Sequence, residues 1–198
     1  MAYFPVFCDL TGREVLLVGG CRHILEKLQR LQPFQAKLRV ICENPIPEVE
    51  AFAGMNLERR PFREEDLSSN PALVIVSPQE DARAVSELCR ARNIPVNVVD
   101  VPELCSFYFP ALIVEGDLTV GISTAGVCPG AAAVLKERIR ACLPSRTAQV
   151  IRWVRQQREK LPDYPGKRQY LRRITAASLA KNRPLTEEEL TTDVHIST

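Results

Sequence analysis

The segment IPVNVVD (94–100) ends in an aspartate, Asp100, that could do acid–base chemistry. The apolar run before it is typical of a parallel β-strand, and open α/β sheets bind their ligands at the carboxyl ends of such strands. A carboxylate at that edge could accept or give a proton, or hold a metal ion while it is inserted into a substrate. Alternatively, Asp100 caps the turn that follows, because Pro102 lies two residues further on. Position alone leaves both interpretations open.

A second candidate site is the two-glycine turn in REVLLVGGCRHILEKLQRLQ (13–32), which follows a predicted strand and precedes a predicted helix. A dinucleotide-binding turn needs small residues at three fingerprint positions. Here these positions hold Gly19, Cys21 and Ile24, with Gly20 as an additional small residue, so only the first position meets the rule. We expect the Cβ atom of Cys21 to crowd the approach of a pyrophosphate, and Ile24 to push the helix outward.

Other residues near this turn could still hold a nucleotide. N–H groups at the start of a helix can donate to a phosphate. Arg22 and His23 lie there, although His23 could equally be an ordinary helix-start residue. Glu43 lies 24 residues after Gly19, where a carboxylate usually binds a ribose hydroxyl and repels a 2′-phosphate, and Asn44 is assigned to the same edge. A βαβ unit without a ligand is the alternative.

A third candidate is the segment GISTAGVCPG (121–130), which joins a predicted strand to a predicted helix and contains Ser123 and Thr124. Small polar residues in front of a helix suit anion binding. They equally suit an ordinary cap and turn. Both interpretations stay open for this segment.

The elements that must position these residues follow from the pattern of apolar residues. Between residues 13 and 100, short apolar runs alternate with segments of helical periodicity, which predicts a parallel sheet with helices. After residue 106, two strands joined at EGD (115–117) predict a hairpin. Helices are predicted to begin at Pro129, after an N-cap at Ser145, and after a cap at Thr186.

The predicted fold class is therefore α/β. A Rossmann-like dinucleotide-binding domain is expected over residues 1–106, a β-hairpin/helix dimerisation region over 107–144 and a helical domain over 145–198. A lone hairpin is marginally stable in water. We expect it to need a partner, and in a chain of 198 residues that partner is a second copy, which predicts a homodimer.

Composition limits the classes of function. A net charge of +2 gives no broad field for nucleic acid, and no apolar run is long enough to cross a membrane. The N-terminal residues lack a secretion signal. The seven cysteines form no Cys-x-x-Cys pair, which favours a reducing cytoplasm. With only His23 and His195 as histidines, we predict no resident metal site.

Three motifs together resemble a known family, the precorrin-2 dehydrogenase/sirohydrochlorin ferrochelatases, which form the N-terminal part of multifunctional siroheme synthases. The motifs are YFPVFCDLTGREVLLVGG (3–20), IPVNVVDVPELCSFYFPALIVEGDLTVGIST (94–124) and the STAG…PG turn before a helix. The resemblance covers residues 2–145 clearly. It implies a nicotinamide-binding domain, an interlocked dimer and a helical domain.

The resemblance also implies an activity. Members of this family oxidise precorrin-2 to sirohydrochlorin with NAD, and some insert ferrous iron; cobalt is a second candidate substrate metal. The aspartate credited with acid–base work in both steps matches Asp100, and Ser123 and Thr124 match the turn near the tetrapyrrole. The many carboxylates of the substrate would bind arginines and helix N-termini.

The departures from the family pattern fall on the cofactor side. The family writes Gly-Gly-Gly-x-Val-Ala where this chain has Cys21 and Ile24 at the third and sixth places. Glu26 replaces a common basic residue, and Pro78 replaces a threonine in the turn SPQE (77–80). The main hypothesis is an NAD-dependent precorrin-2 dehydrogenase, with or without ferrochelatase activity. The alternative is an NAD-independent metal chelatase or tetrapyrrole-binding paralogue with a degenerate cofactor site.

Overall fold

The computed structural model describes residues 4–194, so Tyr3 of the first motif and His195 lie outside the described residues. The chain forms two compact units, Met1–Phe109 and Pro110–Thr198. The first unit contains five strands and three helices: β1 (Glu14–Val18), α1 (Arg22–Leu31), β2 (Lys37–Ile41), α2 (Pro47–Ala53), β3 (Leu57–Glu58), β4 (Leu73–Val76), α3 (Ala82–Ala91) and β5 (Val96–Val98).

The five strands form one parallel sheet in the order β3-β2-β1-β4-β5. Successive side chains of a strand point to opposite faces. Val15 and Leu17 of β1 accordingly belong to the core cluster that includes α1 and α2, while Leu16 and Val18 belong to the cluster that includes α3. Both faces are covered, which is why β4 is buried along its whole length. The predicted Rossmann-like fold is confirmed.

Residues with strong local preferences set several of the helix limits in the first unit. Pro47 occupies the first turn of α2, and Gly54 ends it with φ of +52°. Asp81 caps α3 by accepting a hydrogen bond from the N–H of Ala84 at 3.4 Å. These local signals therefore determine both limits of α2 and the start of α3.

The second unit contains a hairpin and four helices: β6 (Ala111–Glu115), β7 (Leu118–Ile122), α4 (Pro129–Cys142), α5 (Thr147–Lys160), α6 (Lys167–Ala180) and α7 (Glu187–Val194). The hairpin is antiparallel, with Glu115 opposite Leu118 across the predicted Gly-Asp turn. The buried apolar side chains of its described part are few: Ile113, Ala132, Val150, Ile174 and Leu185. No helix within residues 4–194 is long and apolar enough to cross a membrane.

The two predicted helix caps of this unit have different outcomes. Thr186 caps α7 as predicted, because its Oγ1 accepts from the N–H of Glu189 while the Glu189 carboxylate accepts from the N–H of Thr186 at 2.8 Å. The prediction for Ser145 was wrong. Its Oγ accepts a hydrogen bond from Asn182 Nδ2 at 2.8 Å, and α5 begins after Arg146 without a side-chain cap. The Ser145 hydroxyl, which was predicted to cap α5, therefore binds an asparagine that is distant in the sequence.

Candidate functional site

The two glycines after β1 pack tightly between the ends of β2 and β4. Gly19 has φ of +114°, and a Cβ atom on it would overlap Cβ of Ser77, which follows β4. A Cβ atom on Gly20 would lie 2.5 Å from Cα of Pro45 and 2.6 Å from Sγ of Cys42, both beyond β2. Both positions therefore need glycine for close packing, which explains why the turn keeps two glycines although the later fingerprint positions are larger.

Cys21 closes this turn and begins α1. It is the N-cap residue, with φ of −87° and no hydrogen bond from its side chain to the helix start, so the first N–H groups of α1 lack a side-chain cap. Its Sγ lies 3.4 Å from Oγ of Ser77, and Ser77 donates its hydroxyl hydrogen to Oε1 of Gln79. The thiol therefore bridges the ends of β1 and β4.

The strand order makes this bridge relevant to ligand binding. From β1 the chain proceeds outward through β2 to β3, then returns to the other side of β1 with β4 and β5. Ligands of open α/β sheets bind in the crevice at such a switch point. Cys21 thus narrows the crevice itself. Ile24 is fully buried in the core with Leu28, so its size serves packing between α1 and the sheet.

Two carboxylates near the glycine turn, Glu43 and Glu80, interact electrostatically. Glu43 follows β2 and is exposed, as expected for a residue that binds a ribose. Glu80, beyond β4, was not predicted as a site residue. Its half-buried side chain approaches Gly19, and burial, with the charge of Glu43, raises the pKa of Glu80. The sequence offered one signal for this role: Glu80 lies four residues after the buried strand β4, near the edge where such sheets bind ligands.

The remaining predicted cofactor residues also lie at this edge. Arg22 and His23 are exposed in the first turn of α1. Asn44 is exposed after β2, and its backbone N–H is directed at the thiol of Cys42. Burial raises the pKa of Cys42, and the Asn44 hydrogen bond lowers it by less. The structure therefore brings the predicted cofactor residues together around one turn.

These features fit a dinucleotide in a narrowed crevice. An uncapped helix start and an exposed carboxylate after β2 are the groups that hold the pyrophosphate and a ribose in such sheets. The thiol of Cys21 reduces the space, and the carboxylate of Glu80 reduces the space and opposes the negative charge of the phosphates. Arg22 and Glu43 nevertheless remain exposed.

Asp100 lies just beyond β5 at the same, carboxyl-terminal edge of the sheet. It is exposed and has φ of +59°, a left-handed conformation that aspartate and asparagine adopt more readily than most residues. Its carboxylate forms no hydrogen bond or ion pair with any residue between 4 and 194. The interpretation of Asp100 as a turn cap therefore has no support, and the carboxylate is free to meet a ligand.

Lys27 connects Asp100 electrostatically to the helix after the glycine turn. Its Nζ lies 4.6 Å from the ring centroid of Phe109, a cation–π contact. Burial and then the charge of Arg30 lower the pKa of Lys27, whereas Glu26 and Asp100 raise it. Lys27 was not predicted as a site residue, although its position three residues after the buried Ile24 places it on the inner side of α1.

The side chains around Asp100 mainly anchor the backbone that follows it. Asn97 donates from Nδ2 to the carbonyl of Phe107 at 3.0 Å. The thiol of Cys105 donates to the carbonyl of Val98 at 3.2 Å and accepts from its N–H at 3.3 Å. These bonds hold residues 101–109 against β5, which fixes the position of Asp100 between them.

Ser123 and Thr124 lie in the second unit, in the turn before α4. Oγ of Ser123 accepts from the N–H of Ala125 at 3.1 Å. Oγ1 of Thr124 donates to the carbonyl of Cys128 at 3.0 Å and accepts from its N–H at 3.3 Å. The cap-and-turn interpretation thus accounts for both hydroxyls, while Ser123 also remains exposed. Across residues 4–194, no group of three or more His, Cys, Asp or Glu side chains could hold a metal ion.

Comparison with known proteins agrees with this geometry. The chain is 35% identical over 182 residues to the siroheme synthase of Thioalkalivibrio sulfidiphilus, covering 88% of this chain and 37% of that protein. It is 37% identical over 155 residues to the siroheme synthase of Stutzerimonas stutzeri, covering 76% and 33%. The chain thus spans about a third of the length of these two relatives.

A solved structure shares the fold. The precorrin-2 dehydrogenase SirC superposes with a TM-score of 0.72 at 23% identity, covering 98% of this chain and all of that one. The resemblance predicted from the three motifs is confirmed by these relatives. The family model described as putative NAD(P)-binding matches residues 6–111, which is more than half of the chain. The chain therefore belongs to this putative NAD(P)-binding family.

Proposed function

We propose that this protein is an NAD-dependent precorrin-2 dehydrogenase, which oxidises precorrin-2 to sirohydrochlorin. The observation that carries the proposal is the unpaired, exposed carboxylate of Asp100 at the same sheet edge as the dinucleotide turn. The names of the siroheme synthases and of SirC support the substrate class.

The proposed oxidation removes one hydride and one proton from the substrate. NAD supplies the hydride acceptor. Asp100 takes the proton on its carboxylate, which no neighbouring cation or donor within residues 4–194 occupies by a hydrogen bond or ion pair. Hydrogen bonds next to Asp100 hold its backbone in place, because Val99 donates its N–H to the carbonyl of Val76 at 3.0 Å and the thiol of Cys105 donates to the carbonyl of Val98.

The dinucleotide is held by the first unit. The N–H groups at the start of α1 donate to its phosphates, and Arg22 adds a positive charge near them. Glu43 accepts hydrogen bonds from a ribose, and its charge favours NAD over NADP. The tetrapyrrole carboxylates are assigned to Ser123 and Thr124 of the second unit, of which Ser123 is the more exposed residue.

The substitution Asp100→Asn tests the catalytic assignment. Asparagine has nearly the same shape and also tolerates the left-handed conformation, so the fold is retained while the proton acceptor is lost. We expect turnover, followed as NADH absorbance, to fall by roughly a hundredfold or more with unchanged NAD binding by calorimetry. Glu103→Gln removes an exposed carboxylate three residues away and should keep full activity. Undiminished turnover in Asp100→Asn would exclude the assignment.

One observation favours a second candidate function. The Cys21–Ser77 contact and the Glu80 carboxylate narrow the crevice where NAD would bind. A metal chelatase that does not use NAD would tolerate this narrowing, with ferrous iron or cobalt as a substrate together with sirohydrochlorin. Metal insertion without any NAD binding, measured by calorimetry at millimolar NAD, would favour this function over the dehydrogenase.

A homodimer and a cytoplasmic location complete the proposal. The hairpin and α4 of residues 107–144 are proposed as the dimerisation region, and residues 145–198 as a helical domain. Supporting the dimer, α4 exposes 55% of Val134 and 43% of Leu135 in a unit with few buried apolar residues. Supporting the cytoplasm, all seven cysteines, which lie within the described residues, are free thiols.

A further inference from the structure

Glu80 has an unusual position for a residue that borders a dinucleotide site. Its Cγ lies 3.5 Å from the point that a Cβ atom on Gly19 would occupy, so its side chain runs along the glycine turn. Its backbone N–H donates to the carbonyl of Ser77 at 3.2 Å, which fixes the residue on the β4 side of the crevice. Glu43 stands on the opposite, β2 side.

The surroundings of Glu80 disfavour its charge. Burial and the carboxylate of Glu43 raise the pKa of Glu80 above its ordinary value of 4.5. Among the described residues, no lysine or arginine forms an ion pair or hydrogen bond with it. Titratable groups close to it are Asp81 at the start of α3, Glu64, which lines the same pocket, and the thiol of Cys42, whose pKa the charge of Glu80 raises. Cys21, Arg22 and His23 stand beyond the glycine turn, at the start of α1.

A bound dinucleotide would add to this repulsion. Its pyrophosphate lies at the start of the first helix and over the glycine turn. In this chain that place is bordered by the Glu80 side chain, so the two negative groups cannot both be charged at close range without a cost. A neutral, protonated Glu80 removes the repulsion and can donate a hydrogen bond to a phosphate oxygen.

We propose that Glu80 couples NAD binding at the glycine turn to the uptake of one proton, so that NAD binds mainly to protein with a neutral Glu80. This inference rests on the proposed NAD site and adds a specificity-determining residue to it. It also assigns opposite roles to the two carboxylates of the turn: Glu43 binds the ribose, whereas Glu80 opposes the phosphates until it is protonated.

The sign of the pH dependence follows from linkage. A group that takes up a proton on binding makes affinity fall as pH rises between its pKa in the free protein and its higher pKa in the complex. Since the Glu80 pKa in the free protein is already raised above 4.5, the fall in affinity should begin at a pH above that ordinary value. The loss should total roughly tenfold for each unit by which bound NAD raises the Glu80 pKa.

The test is calorimetric titration of the full chain with NAD from pH 5 to pH 8 at constant ionic strength, in two buffers of different ionisation enthalpy. Wild type should bind more weakly at pH 8 than at pH 5, and should take up a proton on binding NAD over the pH range in which its affinity falls. Glu80→Gln should bind roughly tenfold more tightly than wild type at pH 8, with little pH dependence. Glu43→Gln should weaken binding instead. Glu87→Gln removes an exposed carboxylate of α3 and should resemble wild type.

The outcomes separate this inference from the proposed function. Saturable NAD binding that is independent of pH, or that Glu80→Gln leaves unchanged or weakens, overturns the role of Glu80 and leaves the dehydrogenase proposal standing. Absence of NAD binding at every pH in both wild type and Glu80→Gln overturns the dehydrogenase proposal itself. If Glu80→Gln binds NAD and wild type does not, the role of Glu80 and the dehydrogenase proposal are both supported, because the Glu80 carboxylate is then what prevents NAD binding.

Discussion

The Sγ atom of Cys21 lies 3.4 Å from the Oγ atom of Ser77 and joins the turns after β1 and β4. These turns border the crevice in which a sheet of this order binds nucleotides. The contact therefore places a side chain where the family has glycine. The backbone itself does not demand glycine there, because φ of Cys21 is −87°.

Replacement of Cys21 should widen this crevice. We expect Cys21→Gly to bind NAD several-fold more tightly than wild type, because both the thiol and the Cβ atom are removed from the approach to the helix start. Cys21→Ala separates the two contributions: it improves binding only if the thiol is the obstacle, and leaves it unchanged if the Cβ atom is. Calorimetric titration with NAD at one fixed pH measures the affinity of both variants.

The control for this pair is Cys128→Ala, which removes an exposed thiol of the second unit and should not change affinity. If correctly folded Cys21→Gly binds NAD no more tightly than wild type, the Cys21 side chain does not obstruct the cofactor. Ile24 is left unchanged in these variants. It is 0% exposed, and shortening it to alanine would cost roughly 2–5 kcal/mol of stability by opening a cavity.

The ion pairs of the buried Asp66 with Arg39 and Arg60 should make the free energy of unfolding depend on pH. Asp66 is 5% exposed and accepts from Arg39 Nη2 at 2.9 Å, from Arg60 Nη1 at 2.9 Å and from the N–H of Arg63 at 2.8 Å. Burial alone raises the pKa of Asp66. The hydrogen bonds from the Arg60 side chain and the Arg63 N–H, together with the charges of Arg60 and Arg39, outweigh it, so the pKa lies below its ordinary value of 3.8.

A depressed folded pKa contributes stability that is present above pH 3.8 and is lost as pH falls through the folded value. We expect Asp66→Asn to lower the free energy of unfolding at pH 7 by roughly 1–3 kcal/mol. The difference from wild type should shrink as pH falls below the ordinary value. Urea unfolding at neutral and at acidic pH measures it. A difference that grows towards low pH would contradict the role of this cluster.

The exposed apolar residues of α4 give a test of the dimer. A negative charge at Leu135 should oppose burial against a second copy, so Leu135→Glu is expected to shift the protein towards monomer in sedimentation equilibrium at micromolar concentration. Ala91→Glu adds the same charge to an exposed position of α3 in the first unit and should leave the oligomeric state unchanged. A dimer that Leu135→Glu leaves intact would place the interface elsewhere.

The sequence predicted the fold well because its signals are local and repeated. Apolar runs such as Leu73–Val76 are buried on both faces and leave no choice but a central parallel strand. The helix limits near Pro47 and Gly54 follow from backbone chemistry alone. Ser145 shows the limit of such reasoning, because a hydroxyl suited to a cap was taken instead by Asn182, 37 residues further along the chain.

For the site, the sequence by itself determined which chemical groups stand at the ends of the strands, including the carboxylate of Asp100, because strand ends follow from the hydrophobic pattern. Only the tertiary structure decided that Cys21 contacts Ser77, that Lys27 lies over the Phe109 ring, and that the charge of Glu43 acts on Glu80. Strand order brings together residues that are distant in the chain, and burial then alters their charges; neither can be obtained from spacing along a single segment.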